Sequence, residues 1–129
     1  RLVGAYHALT LAAQRAGEAA PPSQELEESL EARHLDFHHA LIGACRSHWL
    51  LDLSTQLYAQ TERYRRPARA GATAYGPERN VDDEHRQLLD AALSRDVERS
   101  VEMLAAHYRK TAQFIEHIIS QEDRQAIHA

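Results

Sequence analysis

The chain carries nine histidines, and two of them, His34 and His38 in the run "RHLDFHHALIGAC", have a spacing that suits metal binding. On an α-helix, residues four places apart lie about 40° apart around the axis and about 6 Å apart along it. We therefore expect the two imidazoles to point the same way and form a clamp. His39 lies about 100° further round and is expected at the surface. The pair alone is a weak signal in a chain this rich in histidine.

Two further candidates lie on the last two predicted helices, His85 in "DEHRQLLDAAL" and His107 in "LAAHYRKTAQF". These helices form a predicted hairpin around "SRD". His85 and His107 lie at distances from this turn that differ by about one helical turn, a difference that side chains can span. Four imidazoles suit Zn²⁺, or else Ni²⁺ or Co²⁺, better than Mg²⁺ or Ca²⁺, which prefer oxygen. The spacing alone favours the alternative, that these are separate surface or core histidines.

The elements that must position these histidines are helices. Few glycines, prolines and aromatic residues, against many Ala, Leu, Glu, Arg and Gln, indicate an all-α chain. Apolar residues recur at helical spacing in five segments. These segments cover, approximately, residues 1–17, 23–45, 47–67, 78–93 and 97 onwards. Ser23 and Ser47 are the expected N-caps of the second and third helices. Because most connections are short, an antiparallel helical bundle is predicted, with "ARAGATAYGP" as a mobile loop.

Length, charge and cysteine content narrow the class of protein. A chain of 129 residues predicts one domain. The net charge of -4, with acids and bases interspersed, offers no basic surface for nucleic acid. No stretch approaches the ~20 apolar residues of a membrane span, and no signal peptide is recognisable. The single cysteine, Cys45, is expected to be a packed small side chain in a cytosolic protein. The start at Arg1, within a helical pattern, suggests that an upstream segment is missing.

Four motifs occur in order along the chain: "HLDFHHALIGAC", "SHWLL", "LYAQTERYRR" and "DEHRQLLDAALSRDVERSVEMLAAHYRKT". Together they resemble the FCD domain, the C-terminal effector-binding domain of FadR-type regulators in the GntR superfamily, over about residues 24–119. The resemblance implies an all-α bundle, a homodimer, and a bacterial, cytoplasmic regulator that binds DNA through a preceding winged helix-turn-helix domain. That domain and the first FCD helix are expected to be absent from residues 1–129. The motifs look most like the branch of the carbon-starvation-induced regulator, which implies glutarate or a hydroxy acid as effector.

The resemblance also implies a metal site. In the family, an acidic residue and the histidine four places later, with one histidine on each of two later helices, bind a divalent metal that presents open positions to a small carboxylate. These three histidines correspond to His38, His85 and His107. The acidic position is occupied by His34, a departure that makes the site neutral and favours an anionic ligand. Asp36 is expected to face away from His38.

Effector-binding residues are predicted at the end of the third helix, in "ERYRR". In the family an arginine on the missing helix often holds the effector carboxylate, and Arg63, Arg65 and Arg66 are possible substitutes because a guanidinium pairs with a carboxylate through two hydrogen bonds. We predict that Arg63 and Arg66 bind the effector. Tyr64 is expected to be a core residue whose hydroxyl lies near the effector-binding cavity. The alternative is that the arginines are solvated charges at a helix C-terminus.

The expected function is metal-dependent sensing of a small organic acid, without catalysis. The alternative from another class is a small hydrolase-type metalloenzyme using the same metal. Such an enzyme needs a free general base, and only Asp36, Asp83 and Glu84 are near in sequence. Glu84 lies about 100° round the helix from His85 and is poorly placed for that role. The sequence therefore favours the sensor.

Overall fold

The chain is built from α-helices, as its composition predicts. The computed structural model describes residues 1–19, 21–69 and 79–128, and no strand occurs within those ranges. The helices there are α1 (Leu2–Glu18), α2 (Gln24–Ile42), α3 (His48–Arg69), α4 (Val81–Leu93) and α5 (Val97–His128). They fall into two compact units, Arg1–Ala72 and Thr73–Ala129. The predicted loop around Gly71 and Gly76 lies outside the described residues. The assignment of residues 1–129 to one FCD-like domain stays a prediction.

The core of the first unit lies where α1 packs on α2. Leu9 and Ala12 of α1 are buried, and Phe37 of α2 is fully enclosed. The ring of Tyr6 lies against that of Phe37, with 5.9 Å between centroids. Because Phe37 precedes His38, the packing that buries the phenylalanine also holds the backbone that carries the histidine.

The helix ends of the first unit follow local chemistry. Ser23 caps α2 by accepting a hydrogen bond from the Leu26 amide at 3.4 Å, and Ser47 accepts one from the Leu50 amide at 3.4 Å, as the sequence predicts. α2 ends at Ile42, short of the predicted end, because the chain tightens into a 3-10 turn over Gly43–Cys45. Cys45 is exposed, so the prediction that it packs in the interior is wrong.

The second unit is a helical hairpin. Asn80 caps α4 by accepting a hydrogen bond from the Asp83 amide at 2.9 Å, which places the helix start a little later than predicted. Between the helices, Arg95 takes a positive φ of 57°. Asp96 then caps α5 by accepting from the Arg99 amide at 3.0 Å. Leu88, Leu89 and Ala91 of α4 are buried, so α4 presents an apolar side in the same stretch that carries His85.

Several apolar residues on the predicted helical stripes are exposed. Trp49 and Leu57 of α3 are 70% and 59% exposed, and Val97 and Val101 of α5 are 72% and 64% exposed. Helical spacing therefore located the helices without deciding which side of each is covered. None of the helices in the described part of the chain has the length and apolar character needed to cross a bilayer.

Candidate metal and effector site

His34 and His38 form the pair on α2 that their spacing predicts. The Nε2 atoms of the two rings lie 3.1 Å apart, and the ring centroids 4.6 Å apart. His38 is buried and His34 half-buried. His39, expected at the surface, is half-buried, and its Nε2 lies 2.9 Å from the Thr55 hydroxyl of α3. The clamp expected from the four-residue spacing is therefore present, and His39 is engaged elsewhere.

The other nitrogen of the His34 ring is held by α3. Nδ1 of His34 lies 2.6 Å from the hydroxyl oxygen of Tyr58. That hydroxyl also lies 3.3 Å from the backbone carbonyl of Glu31, to which it donates. A hydrogen bond at Nδ1 leaves Nε2 as the nitrogen that faces His38. Tyr58 therefore sets the orientation of the His34 ring.

A buried ion pair supports Tyr58. Arg65 is 4% exposed, and its Nη2 donates to Oε1 of Glu31 at 2.6 Å. The guanidinium carbon lies 3.8 Å from the centre of the Tyr58 ring, within the range of a cation–π interaction. Arg65 also donates to the hydroxyl of Thr61 and to the backbone carbonyl of Tyr58. This arginine, one of three considered as an effector ligand, is instead part of the interior of the first unit.

His85 and His107 form a second pair, in the helical hairpin. Their ring centroids lie 4.9 Å apart, and a ring nitrogen of one lies within 4.8 Å of a ring nitrogen of the other. Both are buried, at 3% and 5% exposure. The stagger between α4 and α5 is therefore small enough for the two histidines to meet, as the hairpin geometry predicts.

Glu84 holds the ring of His107. Its Oε2 lies 2.8 Å from Nδ1 of His107, and its carboxylate also accepts hydrogen bonds from Arg79 and from Lys110. Burial alone would raise the pKa of Glu84, but the hydrogen bonds from Arg79, His107 and Lys110 outweigh it and lower the pKa from 4.5 to about 2. Arg79 also donates to the His107 carbonyl and to the Thr111 hydroxyl. The carboxylate is thus an ionised acceptor for Nδ1–H of His107, so Nε2 is the unprotonated nitrogen of the neutral ring.

Burial keeps both histidines of the hairpin neutral. It lowers the pKa of His85 from 6.5 to about 3, with a further contribution from His107. It also lowers the pKa of His107, although the hydrogen bond that His107 donates to Glu84 acts in the opposite direction. A neutral imidazole has a lone pair to give to a metal, whereas a protonated one does not.

The donor atoms of His34 and His38 have a spacing that fits a divalent metal of borderline softness. Adjacent nitrogen ligands on an ion with metal–nitrogen bonds of 2.0–2.1 Å lie about 3.0–3.4 Å apart, and the Nε2 atoms of His34 and His38 lie 3.1 Å apart. Imidazole nitrogen is a donor that Zn²⁺, Ni²⁺ and Co²⁺ accept readily. In each pair one ring has its Nδ1 hydrogen-bonded by a second group, as is usual for histidines that bind metals.

The predicted effector-binding residues lie near the end of α3. Arg63 is exposed, and its guanidinium lies 4.6 Å from the centre of the half-buried Tyr64 ring and donates to the Tyr64 hydroxyl. The side chain of Arg66 lies outside the described residues. Contact of Arg63, Tyr64 and Arg66 with an effector stays a prediction.

Sequence reasoning missed Tyr58, and it interpreted Glu84 only as a poor general base. Tyr58 and His34 are far apart in sequence and on different helices, so no spacing rule connects them. Glu84 neighbours His85 in sequence but bonds to His107 on the next helix. Asp36, by contrast, is exposed and paired with Arg33 at 3.0 Å, as its position on the helix predicts.

Comparisons with known proteins identify the family. The chain matches the family model described as "FCD domain" over residues 4–110. It is similar to the uncharacterised HTH-type transcriptional regulator BphR of Paraburkholderia xenovorans (strain LB400), with 42% identity over 83% of this chain and 41% of the relative. It is also similar to the HTH-type transcriptional repressor GlaR of Escherichia coli (strain K12), with 31% identity over 70% of this chain and 41% of the relative.

The matched region thus spans about two-fifths of the length of each of these curated relatives. No solved structure matches the chain significantly. The FCD fold is an all-α bundle, in agreement with the helices described above. The narrower assignment, to the branch of the carbon-starvation-induced regulator, rests on the residues of the four sequence motifs. The chain belongs to the FCD domain family, whose members similar to it are HTH-type transcriptional regulators of the GntR family.

Proposed function

We propose that this chain is the effector-binding domain of a bacterial transcription regulator, and that it senses a small carboxylate with the help of a divalent metal. The family match supports the regulatory role. Because the matched region covers 41% of each relative, we place DNA binding in a further, helix-turn-helix part of the full-length protein. The domain acts as a homodimer in this proposal, so that effector binding changes the geometry of the paired DNA-binding parts.

The proposed metal ligands are His34, His38, His85 and His107, with Zn²⁺ as the first choice and Ni²⁺ or Co²⁺ as alternatives. One observation carries this proposal: in both histidine pairs, one ring has its Nδ1 hydrogen-bonded by a neighbouring side chain. Tyr58 bonds Nδ1 of His34, and Glu84 bonds Nδ1 of His107. This arrangement orients a ring so that Nε2 becomes the donor atom, which is its usual purpose at metal sites.

The charge of the ligand set points to the chemistry of the effector. Neutral imidazoles cancel none of the charge of a divalent ion, whereas the acidic residue usual at the position of His34 would cancel part of it. When bound, the ion would supply a positive charge and an open coordination position for a carboxylate oxygen. Arg63, Tyr64 and Arg66 are proposed to contact the effector, because an arginine can pair with a second carboxylate through two hydrogen bonds. Glutarate-like and hydroxy acids fit this description.

The alternative, a small metalloenzyme, receives no support from the site. With a pKa of about 2, Glu84 is a very weak base at neutral pH. It is also engaged by Arg79, His107 and Lys110. The similar proteins are transcriptional regulators rather than enzymes. We therefore favour sensing over hydrolysis.

Metal titration tests the ligand assignment. The chain is freed of metal with a chelator and titrated with Zn²⁺, and we expect one equivalent to bind per chain. His38→Ala and His85→Ala should each abolish stoichiometric binding, because each removes a ligand from one of the two pairs. His48→Ala, which changes an exposed histidine of α3, is the matched control and should bind as the unchanged chain does. If both ligand variants keep a full equivalent, the assignment is wrong.

A thermal-shift screen tests the effector class. A ligand that binds only the folded state stabilises it by about 2.7 kcal/mol at a hundred-fold excess over its dissociation constant. We expect glutarate or hydroxy acids, tested up to millimolar concentrations, to raise the melting temperature of the zinc-loaded chain. The shift should disappear after chelation and in His107→Ala. A carboxylate effect that survives chelation, or shifts with amines or neutral sugars alone, would contradict the proposal.

A further inference from the structure

We propose that Tyr58 is a positioning residue that selects the metal-binding tautomer of His34. The inference rests on the proposed function, because it concerns how one of the proposed ligands is prepared. It arises from the departure noted at position 34, where a histidine stands in place of an acidic residue. A carboxylate can bind a metal through either oxygen. A neutral histidine can bind a metal only through the ring nitrogen that lacks a proton. Replacing the acid with histidine therefore creates a need for tautomer control.

The contacts of the Tyr58 hydroxyl decide which tautomer is favoured. The hydroxyl lies 2.6 Å from Nδ1 of His34 and 3.3 Å from the backbone carbonyl of Glu31. A carbonyl can only accept, so when both contacts are hydrogen bonds the single hydroxyl proton of Tyr58 is donated to Glu31. The hydroxyl oxygen then accepts a hydrogen bond from Nδ1–H of His34. His34 is left with an unprotonated Nε2, which faces the His38 ring at 3.1 Å.

The surroundings hold Tyr58 in place for this role. The guanidinium of Arg65 lies 3.8 Å from the centre of the Tyr58 ring, and that guanidinium is itself bound to the carboxylate of Glu31. Glu31 therefore contributes twice, through its side chain to Arg65 and through its backbone carbonyl to the Tyr58 hydroxyl. The ion pair therefore links the guanidinium that lies over the Tyr58 ring to the residue whose carbonyl accepts from the Tyr58 hydroxyl.

A double-mutant cycle separates positioning from a general structural effect. Tyr58→Phe keeps the ring and removes the hydroxyl, and we expect it to weaken Zn²⁺ binding by about 10- to 100-fold, the usual effect of losing a group that orients a metal ligand. In a His34→Ala background, where only the weaker binding of the remaining three histidines is measured, at higher Zn²⁺ concentrations, the same substitution should change that residual affinity less than about two-fold, because no imidazole remains to be oriented. Tyr6→Phe, which removes a hydroxyl from the same unit, is the matched control and should leave the affinity unchanged.

A second measurement needs no variant. Nitrogen-15 NMR of the zinc-loaded chain reports which ring nitrogen of His34 carries the proton, and we expect Nδ1. Unchanged affinity in Tyr58→Phe, an equal loss in the His34→Ala background, or a zinc-loaded His34 protonated at Nε2 would each overturn the positioning role while leaving the metal site intact. Failure of the unchanged chain to bind Zn²⁺, or full affinity in His38→Ala, would instead refute the proposed function.

Discussion

Acidification of the metal-free chain should destabilise it through His85. In the folded state this histidine is 3% exposed, and its pKa is lowered from 6.5 to about 3 by burial and by His107. Between these two values the unfolded chain binds a proton that the folded chain does not, so the free energy of unfolding falls as the pH falls. The stabilising contribution of neutral His85 is complete above pH 6.5 and is lost progressively towards pH 3.

The expected size of the effect follows from the same two values. Proton linkage with a pKa of 6.5 in the unfolded chain and about 3 in the folded chain predicts a loss of about 2 kcal/mol between pH 7.5 and 5.0. The pKa of His107 is also lowered, so it contributes with the same sign. The pKa of Glu84 is lowered from 4.5 to about 2, so its contribution to the free energy of unfolding is lost mainly below pH 4.5. It therefore adds little to the change between pH 7.5 and 5.0.

Urea denaturation in the presence of a chelator, followed by circular dichroism at both pH values, measures this loss. His85→Asn should reduce the pH dependence by about 2 kcal/mol, because asparagine does not titrate. His48→Asn replaces an exposed histidine and should keep the full dependence. If the unchanged chain loses less than about 0.5 kcal/mol, or if His85→Asn retains the whole dependence, water reaches the His85 ring in the folded state and the reasoning is refuted.

Two further predictions concern stability. Arg65→Met leaves the carboxylate of Glu31 buried without its ion-pair partner, and we expect the free energy of unfolding in urea to fall by about 3–5 kcal/mol. Adding Glu31→Leu should recover much of this loss, and a cost below about 1 kcal/mol for the single variant would show that the pair is solvated. Asn80→Ala removes the side chain that caps α4 at the Asp83 amide and should cost about 1 kcal/mol. An unchanged urea midpoint would show that the cap contributes nothing to stability.

The candidate site could be anticipated in part. The pairing of His34 with His38 follows from their spacing of four residues within one helix, and that spacing can be read directly from the sequence. The meeting of His85 and His107 follows from a short turn between two helices. The groups that orient these rings could not be anticipated, because Tyr58 reaches His34 from a different helix and Glu84 bonds across the hairpin rather than to its neighbour. Hydrogen bonds of this kind depend on how helices pack.

The helices themselves were determined by the sequence. Apolar spacing located all five, and serine at positions 23 and 47 capped α2 and α3 as predicted, because propensity and capping act over only a few residues. Only the tertiary structure decided which sides of the helices are covered. Trp49 is 70% exposed although it lies on an apolar stripe, while Arg65 is 4% exposed although its charge favours water. Burial depends on the neighbours that packing supplies, and a distant partner such as Glu31 can compensate the cost of burying a charge.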